Sequence, residues 1–360
     1  MADLVDPLEL GQRLVAVLES GQRVATYKLA LLLALLDYSV EHLPTEPDSA
    51  LTVPVRDLAE RVIEIYWLQV LPFEGVRLRQ STGASASILK QVLRLRAATQ
   101  SAQGRISLAT ARQGHEIVFQ ATVSAVALTL ARQPLHRLQR VGRAPAVAPF
   151  LYDDTWLSDR VSAAQLAAHQ GSVQLFPGVA WALARLAGLV RPLVEILWTA
   201  DVRRLNPQLS ADVPDIAGHL FGRNRVSLQA VREALADVDG ARCFYCGINL
   251  KNAGTVDHVL PWSRIGLDGL TNLVLACRRC NTDKSDTLPR PGYVDLAVDR
   301  DAAALEQLAT SINWPTQRQR TISAARGLYR TYPSGSPVWA GFKKTLAFGA
   351  VLDDWLITAT

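Results

Sequence analysis

The sequence predicts a mainly α-helical protein with one small cysteine-rich module towards its C-terminal end. Three observations lead to this fold class. Long stretches place apolar residues three and four positions apart, which is the spacing of an amphipathic helix. The β-like runs are short, and TVDHV at 255–259 is one of them. All four cysteines lie between Cys243 and Cys280. We therefore expect a helical N-terminal region, then the module, then C-terminal helices.

The composition is that of a folded protein with a large core. The chain has 360 residues, of which 49% are hydrophobic and 20% charged, enough for two or three domains. Its first residues lack the basic flank and apolar stretch of a signal peptide. The apolar run at 29–36 is much shorter than the roughly 20 residues that span a bilayer. We expect a cytoplasmic protein without membrane contact, in a reducing setting where disulfides do not form.

Helical patterns dominate residues 1–210, which we interpret as a recognition or sensing region. Residues 9–42 and 53–73 show helical spacing, and residues 85–100 read as a basic amphipathic helix. For residues 117–133, periodicity fits either a helix or a strand followed by a helix.

Proline-rich stretches predict the boundaries in this part of the chain. The Pro/Ala stretch at 141–150 is a candidate seam, and the polar stretch at 206–215, with two prolines, is the best linker candidate. Between them, residues 178–204 predict a helix that Pro192 kinks or breaks.

The remaining residues divide into three predicted parts. Residues 211–240 form a helical linker, residues 241–290 contain the cysteine-rich module, and residues 291–360 form a helical extension that packs on the module.

Charge is unevenly distributed along the chain. Residues 1–76 hold 5 Lys and Arg against 12 Asp and Glu, a net of −7, whereas residues 77–143 hold 11 against 1, a net of +10. Such a basic block fits a polyanion-binding face, and the cluster at 132–143 is its best candidate for DNA contact. The alternative is a solvated surface that pairs with the acidic part of the same chain.

The cysteines form two matched pairs, Cys243/Cys246 and Cys277/Cys280. Each C-x-x-C turn can clamp a metal, and four thiolates are the ligand set that tetrahedral zinc prefers. We predict a structural zinc ion. Chance burial of four small side chains, or a redox pair, does not account for two matched units.

The stretch between the pairs carries the remaining pattern. Asp257-His258-Val259-Leu260-Pro261-Trp262-Ser263 is followed by Asn272-Leu273, and the second cysteine pair continues as Asn281-Thr282-Asp283-Lys284. Over roughly 240–290 this order and spacing resembles the HNH nuclease family, which has the ββα-metal fold. One departure is Ile265-Gly266, where many relatives have a glycine pair, and we expect it to alter the loop shape only.

The resemblance implies a role for each residue of the pattern. His258 is the general base that activates water, because imidazole takes a proton near neutral pH. Asp257 and Asn281 hold a catalytic Mg²⁺ or Mn²⁺ through oxygen atoms. Asn272 braces the loop that positions His258, with a simple turn asparagine as the alternative.

Four cations near this pattern are candidates for phosphate contact. They are Arg264, Arg278, Arg279 and Lys284. For each of them a solvated surface charge is an equal alternative.

The leading hypothesis is a metal-dependent HNH endonuclease that cuts double-stranded DNA, with the N-terminal region selecting the substrate. The architecture resembles restriction or antiviral defence nucleases. A zinc-stabilised DNA-binding or regulatory protein with an inactive nuclease fold, and an RNA-directed nuclease, remain alternatives. One HNH site cuts one strand, so cutting both strands needs two copies of the chain or two turnovers. A homodimer is therefore a further hypothesis.

Overall fold

We describe the protein from a computed structural model. The structure describes residues 5–19, 23–83, 87–99, 107–140, 148–209, 215–221, 228–251 and 253–349. Within them, fourteen α-helices and six short strands are found. The predicted mainly α fold class is confirmed. The chain divides into two compact units, Met1–Ser39 with Leu43–Val226, and Val40–His42 with Ser227–Thr360.

The N-terminal unit is built on helices around an apolar core. Its helices are α1 (Pro7–Glu19), α2 (Tyr27–Glu41), α3 (Val55–Gln69), α4 (Ser87–Thr99), α5 (Leu108–Gly114), α6 (Glu116–Leu130), α7 (Ala163–Ala168), α8 (Val179–Leu205) and α9 (Ile216–Phe221). Its two strands, β1 (Leu51–Pro54) and β2 (Ser172–Leu175), pair antiparallel. The run of leucines and alanines at 29–36 is buried on every side, which explains why it shows no polar face.

Two prolines in this unit lie inside helical structure. The ambiguous segment at 117–133 is helical throughout, since α6 passes into a π-helical turn at Ala131–Leu135 that contains Pro134. Pro192 lies within α8 without ending it. Its neighbours Arg191 and Val194 are buried, so packing on both sides of the proline compensates for the backbone hydrogen bond that it removes. The predicted seam and linker fall largely on 141–147 and 210–214, outside the described residues.

In the part of the chain that the structure describes, no single helix combines the length and the apolar character that a bilayer crossing requires. The segments Leu108–Gly114 and Glu116–Leu135 meet these limits only as a pair, across a bend of 116°.

The C-terminal unit contains a ββα arrangement surrounded by helices. Strands β3 (Thr255–His258) and β4 (Leu273–Ala276) pair antiparallel, with Asp257 opposite Val274 and His258 opposite Leu273. Helix α11 (Arg278–Lys284) follows directly. The other elements of the unit are α10 (Gln229–Asp239), α12 (Pro291–Val298), α13 (Ala302–Ile312), α14 (Arg318–Thr331), β5 (Pro337–Gly341) and β6 (Lys344–Ala347).

The end of the described chain differs from the helical extension predicted for 291–360. Three helices are present there, but β5 and β6 form an antiparallel hairpin. The turn between the strands contains Gly341 and Lys343, both with positive φ. Two positive-φ residues within three positions are incompatible with a continuing helix and allow the chain to reverse.

Candidate functional site

The four cysteines come together at one end of the ββα arrangement. Cys243 and Cys246 lie in a turn closed by the Gly247 N–H, which donates to the Cys243 carbonyl oxygen at 2.8 Å. Gly247 has φ +72°, a left-handed conformation that glycine adopts without a Cβ penalty. Cys277 caps α11, where its Sγ accepts the Cys280 backbone N–H at 3.4 Å. All four Sγ atoms lie within 4.8 Å of one another.

The sulfur geometry fits a tetrahedral zinc ion. Zn–S bonds of about 2.3 Å separate the sulfur atoms of a tetrahedron by roughly 3.8 Å, and Sγ of Cys246 and Sγ of Cys277 are 3.9 Å apart. The predicted four-cysteine cluster is confirmed, and its ligand type and spacing are those of a structural zinc site.

The zinc affinity of this cluster depends on pH, because the thiols must ionise before they bind the metal. Burial raises the pKa of the Cys243 and Cys280 thiols. At Cys277 burial acts in the same direction, but hydrogen bonds from Cys280 and the neighbouring thiols bring the pKa below its ordinary value. Zinc binds thiolates, so loading the buried cysteines releases protons and zinc affinity falls as the pH falls.

His258 ends strand β3 with its ring in a defined orientation. The ring is buried, and Nε2 lies 2.7 Å from Oδ1 of Asp268. Trp314 holds the Asp268 backbone by donating from Nε1 to its carbonyl oxygen at 2.6 Å. An ionised carboxylate only accepts hydrogen bonds, so Nε2 carries the proton. In the neutral ring, Nδ1 is then the basic nitrogen.

Asp257 lies in a buried polar network with two other side chains. The Tyr245 hydroxyl donates to Oδ2 of Asp257 at 2.7 Å, and Nζ of Lys284 is 3.1 Å from the same oxygen. Burial, followed by the charge of Asp257, raises the pKa of Tyr245 far above its ordinary value, so the phenol stays a donor. Within the described residues both contacts go to Oδ2, and Oδ1 of Asp257 has no hydrogen-bond partner.

Lys284 is not on the surface where phosphate contact was predicted. Its side chain is 1% exposed, and Nζ donates to the His258 carbonyl oxygen at 2.7 Å while it pairs with Asp257. A buried carboxylate needs such a partner because an unpaired charge in the protein interior is costly. We therefore correct the assignment of Lys284 from phosphate contact to neutralisation of Asp257.

Asn281 is oriented by a hydroxyl group on β3. Thr255 donates from Oγ1 to the Ala276 carbonyl oxygen at 3.2 Å and accepts from Nδ2 of Asn281 at 2.9 Å. Because the hydroxyl hydrogen is used towards Ala276, the amide must offer its nitrogen, which leaves Oδ1 of Asn281 available as an oxygen donor.

The predicted site residues therefore fall into two groups. Residues 255 and 257 point to the same face of a strand, so Asn281 and Asp257 lie on one face of β3. His258 has a separate set of partners. Within the described residues, its ring makes no hydrogen bond to the Asp257 or Asn281 side chain. Lys284 links the groups, because it contacts both the Asp257 carboxylate and the His258 carbonyl oxygen.

Asn272 ties together the loop that follows His258. Its Oδ1 accepts the Leu260 N–H at 2.8 Å, and its Nδ2 donates to the carbonyl oxygens of Leu260 and Leu267 at 3.1 and 3.0 Å. The side chain is fully buried. Leu260 and Leu267 lie at the two ends of the loop that follows His258, so Asn272 holds both ends of this loop together.

We expect Asn272→Ala to destabilise the C-terminal unit by about 2–4 kcal/mol, because three backbone groups lose their partner at a buried position. Urea unfolding of the zinc-loaded protein measures this free energy. The exposed Asn249→Ala serves as a control: its side chain accepts the Lys251 N–H at a solvent-exposed position, so we expect a loss of less than about 1 kcal/mol. An Asn272→Ala variant as stable as wild type would contradict the bracing role.

Three predicted phosphate contacts are arginines on or near the surface. Arg278 and Arg279 are exposed on α11, and the Arg279 guanidinium lies 4.2 Å from the centre of the Phe342 ring. The Arg264 guanidinium lies 5.1 Å from the centre of the Tyr332 ring. All three side chains retain polar atoms that a phosphate could contact.

The basic block of the N-terminal unit is partly paired within that unit. Arg112 pairs with Glu60, and Arg137 pairs with Asp159. Leu135 and Leu138 are buried. The described part of the cluster at 132–143 thus combines core-facing leucines with one arginine, Arg137, that already has an acidic partner, which lowers its capacity for phosphate contact.

Comparison with protein families decides how the chain is classified. Residues 8–220 match the model described as Domain of unknown function (DUF8808), and residues 243–287 match the HNH endonuclease model. The first match covers more than half of the chain. The chain belongs to the DUF8808 family and carries an HNH endonuclease module. The searches of curated proteins and of solved structures gave no significant match. The HNH match runs from the first zinc-site cysteine to just beyond Lys284, so it includes every residue of the predicted pattern.

Sequence reasoning did not find three residues that orient the HNH site. They are Thr255, Tyr245 and Asp268. Tyr245 lies inside the first C-x-x-C turn and Thr255 begins β3, so their proximity to the pattern was the available signal. Asp268 lies ten residues beyond His258, and no local pattern marks an acid that returns to the ring through a loop.

Proposed function

We propose that the HNH module hydrolyses phosphodiester bonds in double-stranded DNA with the help of a divalent cation. The observation that carries this proposal is the orientation of His258, whose Nε2 lies 2.7 Å from Oδ1 of Asp268. The ring is thereby set to act as a base through Nδ1, within a module whose sequence matches HNH endonucleases.

In this mechanism His258 takes the proton of the attacking water at Nδ1. Asp268 keeps the proton on Nε2 and stabilises the positive charge that the ring acquires, as carboxylates beside catalytic imidazoles do. Burial of the ring, with Trp262 beside it at 5.6 Å between ring centres, limits the orientations that it can adopt.

Asp257 and Asn281 provide the oxygen donors for the cation. Oδ1 of Asp257 and Oδ1 of Asn281 are the atoms left after their other contacts are made, and hard oxygen ligands suit Mg²⁺ or Mn²⁺. When bound, the cation stabilises charge on the phosphate and on the departing 3′-oxygen. Lys284 already neutralises part of the Asp257 charge, so we expect weak cation binding that the substrate phosphate completes.

We propose that the DUF8808 region selects the substrate, and that the protein acts in restriction or antiviral defence in the cytoplasm. Two exposed cations support a role of this region in DNA binding. Lys90 and Arg94 lie one turn apart on α4, so both side chains can contact phosphates of the same DNA strand. A second copy of the chain is proposed for cleavage of both strands.

Incubation of zinc-loaded protein with supercoiled plasmid tests the activity. We expect nicked and linear DNA with added Mg²⁺ or Mn²⁺ and none when the zinc-loaded protein receives no further divalent cation. A single-stranded RNA of matched length tests the RNA-directed alternative. Intact DNA and intact RNA under all metal conditions would support the inactive, DNA-binding alternative instead.

Asp268 gives a sharper test of the His258 orientation. We expect Asp268→Asn to lower the cleavage rate by about 10²–10⁴-fold, because an amide nitrogen can donate to Nε2 of His258 and thereby move the ring proton to Nδ1. The matched control is Asp299→Asn, which changes the same charge in the C-terminal unit. Single-turnover rates at saturating Mn²⁺ measure both variants. Equal rates for Asp268→Asn and wild type would exclude Asp268 from the mechanism.

A further inference from the structure

An exposed β-hairpin lies against helix α11 of the HNH module. In β5 the residues Val338 to Ala340 are buried, whereas all four residues of β6 are exposed. The turn that joins the strands presents Phe342 and Lys343 to solvent, and Lys344 follows as the first residue of β6. One strand therefore anchors the hairpin and the other faces outward.

The turn of the hairpin is fixed to α11 through one carboxylate. Oδ2 of Asp283 accepts hydrogen bonds from Nε1 of Trp339 and from the Lys343 backbone N–H, both at 2.8 Å. Trp339 in turn packs edge-on against Tyr245 at 4.9 Å between ring centres. Asp283 lies two residues after Asn281, so the turn is held beside the helix that supplies the proposed cation ligand.

The hairpin adds positive charge to that of α11. The exposed cations of α11 and of the hairpin are Arg278, Arg279, Lys343 and Lys344. The Arg279 guanidinium lies over the Phe342 ring at 4.2 Å, which joins helix and turn into one face. Asp283, an acid on the same face, already accepts two hydrogen bonds. We call these four cations with Phe342 the basic hairpin face.

We propose that the basic hairpin face binds the phosphate backbone of the DNA duplex next to the scissile phosphate. The inference rests on the proposed nuclease function and adds a substrate-binding surface to it. Lysine and arginine side chains supply most protein contacts to DNA phosphates, and a two-stranded ribbon is narrow enough to lie along a duplex groove. The anchoring through Asp283 allows the ribbon to meet DNA without the ordering cost of a flexible loop.

The salt dependence of binding to a short DNA duplex tests this surface. Each phosphate contact that is lost lowers the slope of log K against log salt by about one. We expect Lys343→Asn/Lys344→Gln to reduce the slope by about two and to weaken binding at low salt. Fluorescence anisotropy of the zinc-loaded proteins, without added Mg²⁺ or Mn²⁺ so that no cleavage occurs, measures both effects. Lys344→Gln alone, which leaves the turn intact, should reduce it by about one.

A matched control is available in the same unit. Lys251 and Lys343 both have left-handed φ, at 49° and 57°, and asparagine tolerates this conformation better than most residues. Lys251→Asn therefore removes the same charge from the same backbone geometry, and we expect it to leave the slope unchanged. Equal zinc content shows that the variants keep their fold.

The outcomes separate the two proposals. An unchanged salt slope in the double variant and in Lys344→Gln overturns the basic hairpin face, while metal-dependent cleavage by the wild-type protein stands. A reduced slope without cleavage by the wild type supports the surface and removes the nuclease function. A slope that falls equally in Lys251→Asn also overturns the proposal, because the effect is then one of net charge.

Discussion

Replacement of Cys243 by serine is expected to abolish zinc binding and to unfold the HNH module. Cys243 is buried, and its Sγ lies within 4.8 Å of the other three. A structural zinc ion contributes apparent binding free energies of about 10–16 kcal/mol in small zinc domains. Whole domains are stable by only about 5–15 kcal/mol, so loss of one ligand exceeds what the remaining core of the module can offset.

Elemental analysis and limited proteolysis measure this effect. We expect about one zinc ion per chain in the wild type, none in Cys243→Ser, and rapid cleavage within 241–290 in the variant. Cys246 provides the control because it is the exposed cysteine. Cys246→His keeps a zinc ligand where an imidazole has room, and should retain more zinc than Cys246→Ser. Folded, protease-resistant Cys243→Ser without zinc would contradict the structural role of the metal.

Replacement of His258 by alanine should have the largest effect on the reaction itself. A positioned general base contributes about 10²–10⁴-fold to a hydrolytic rate, so we expect a loss of this size. The zinc cluster lies outside the contacts of the His258 ring, and Asn272 continues to hold the loop. Zinc content and duplex binding should therefore match the wild type.

Single-turnover cleavage of a duplex oligonucleotide compares the variants. His115→Ala is the matched control, because His115 is an exposed histidine of the N-terminal unit. We expect the control to cleave at the wild-type rate. Cleavage by His258→Ala at that rate would remove His258 from the mechanism.

The metal cluster could be predicted because its signal is local. Each C-x-x-C pair specifies one turn, and the second pair begins α11, so ligand type and spacing appear in adjacent residues. The ends of β3 and β4 are similarly local, since Asn272 directly precedes β4 and its partner Leu260 closely follows β3. Patterns of this kind require no knowledge of distant packing.

Other features depend on contacts between residues far apart in the sequence. Lys284 was predicted to be a surface cation. It is buried because it pairs with Asp257, which lies 27 positions earlier in the sequence. The β5–β6 hairpin was expected to be helical, and its geometry depends on Trp339 reaching Asp283 on α11. Residue type and periodicity do not encode such pairings. The residue boundaries predicted for the domains stay a prediction.

The most direct test is a Mn²⁺ titration of single-turnover duplex cleavage by zinc-loaded wild type, Asn281→Ala and His258→Ala. The proposed site predicts that Asn281→Ala needs a higher Mn²⁺ concentration for half-maximal cleavage. It predicts that His258→Ala is slow at every concentration, with little change in the half-maximal value. Wild-type curves for both variants would show that neither the imidazole nor the amide oxygen takes part, and would contradict the account.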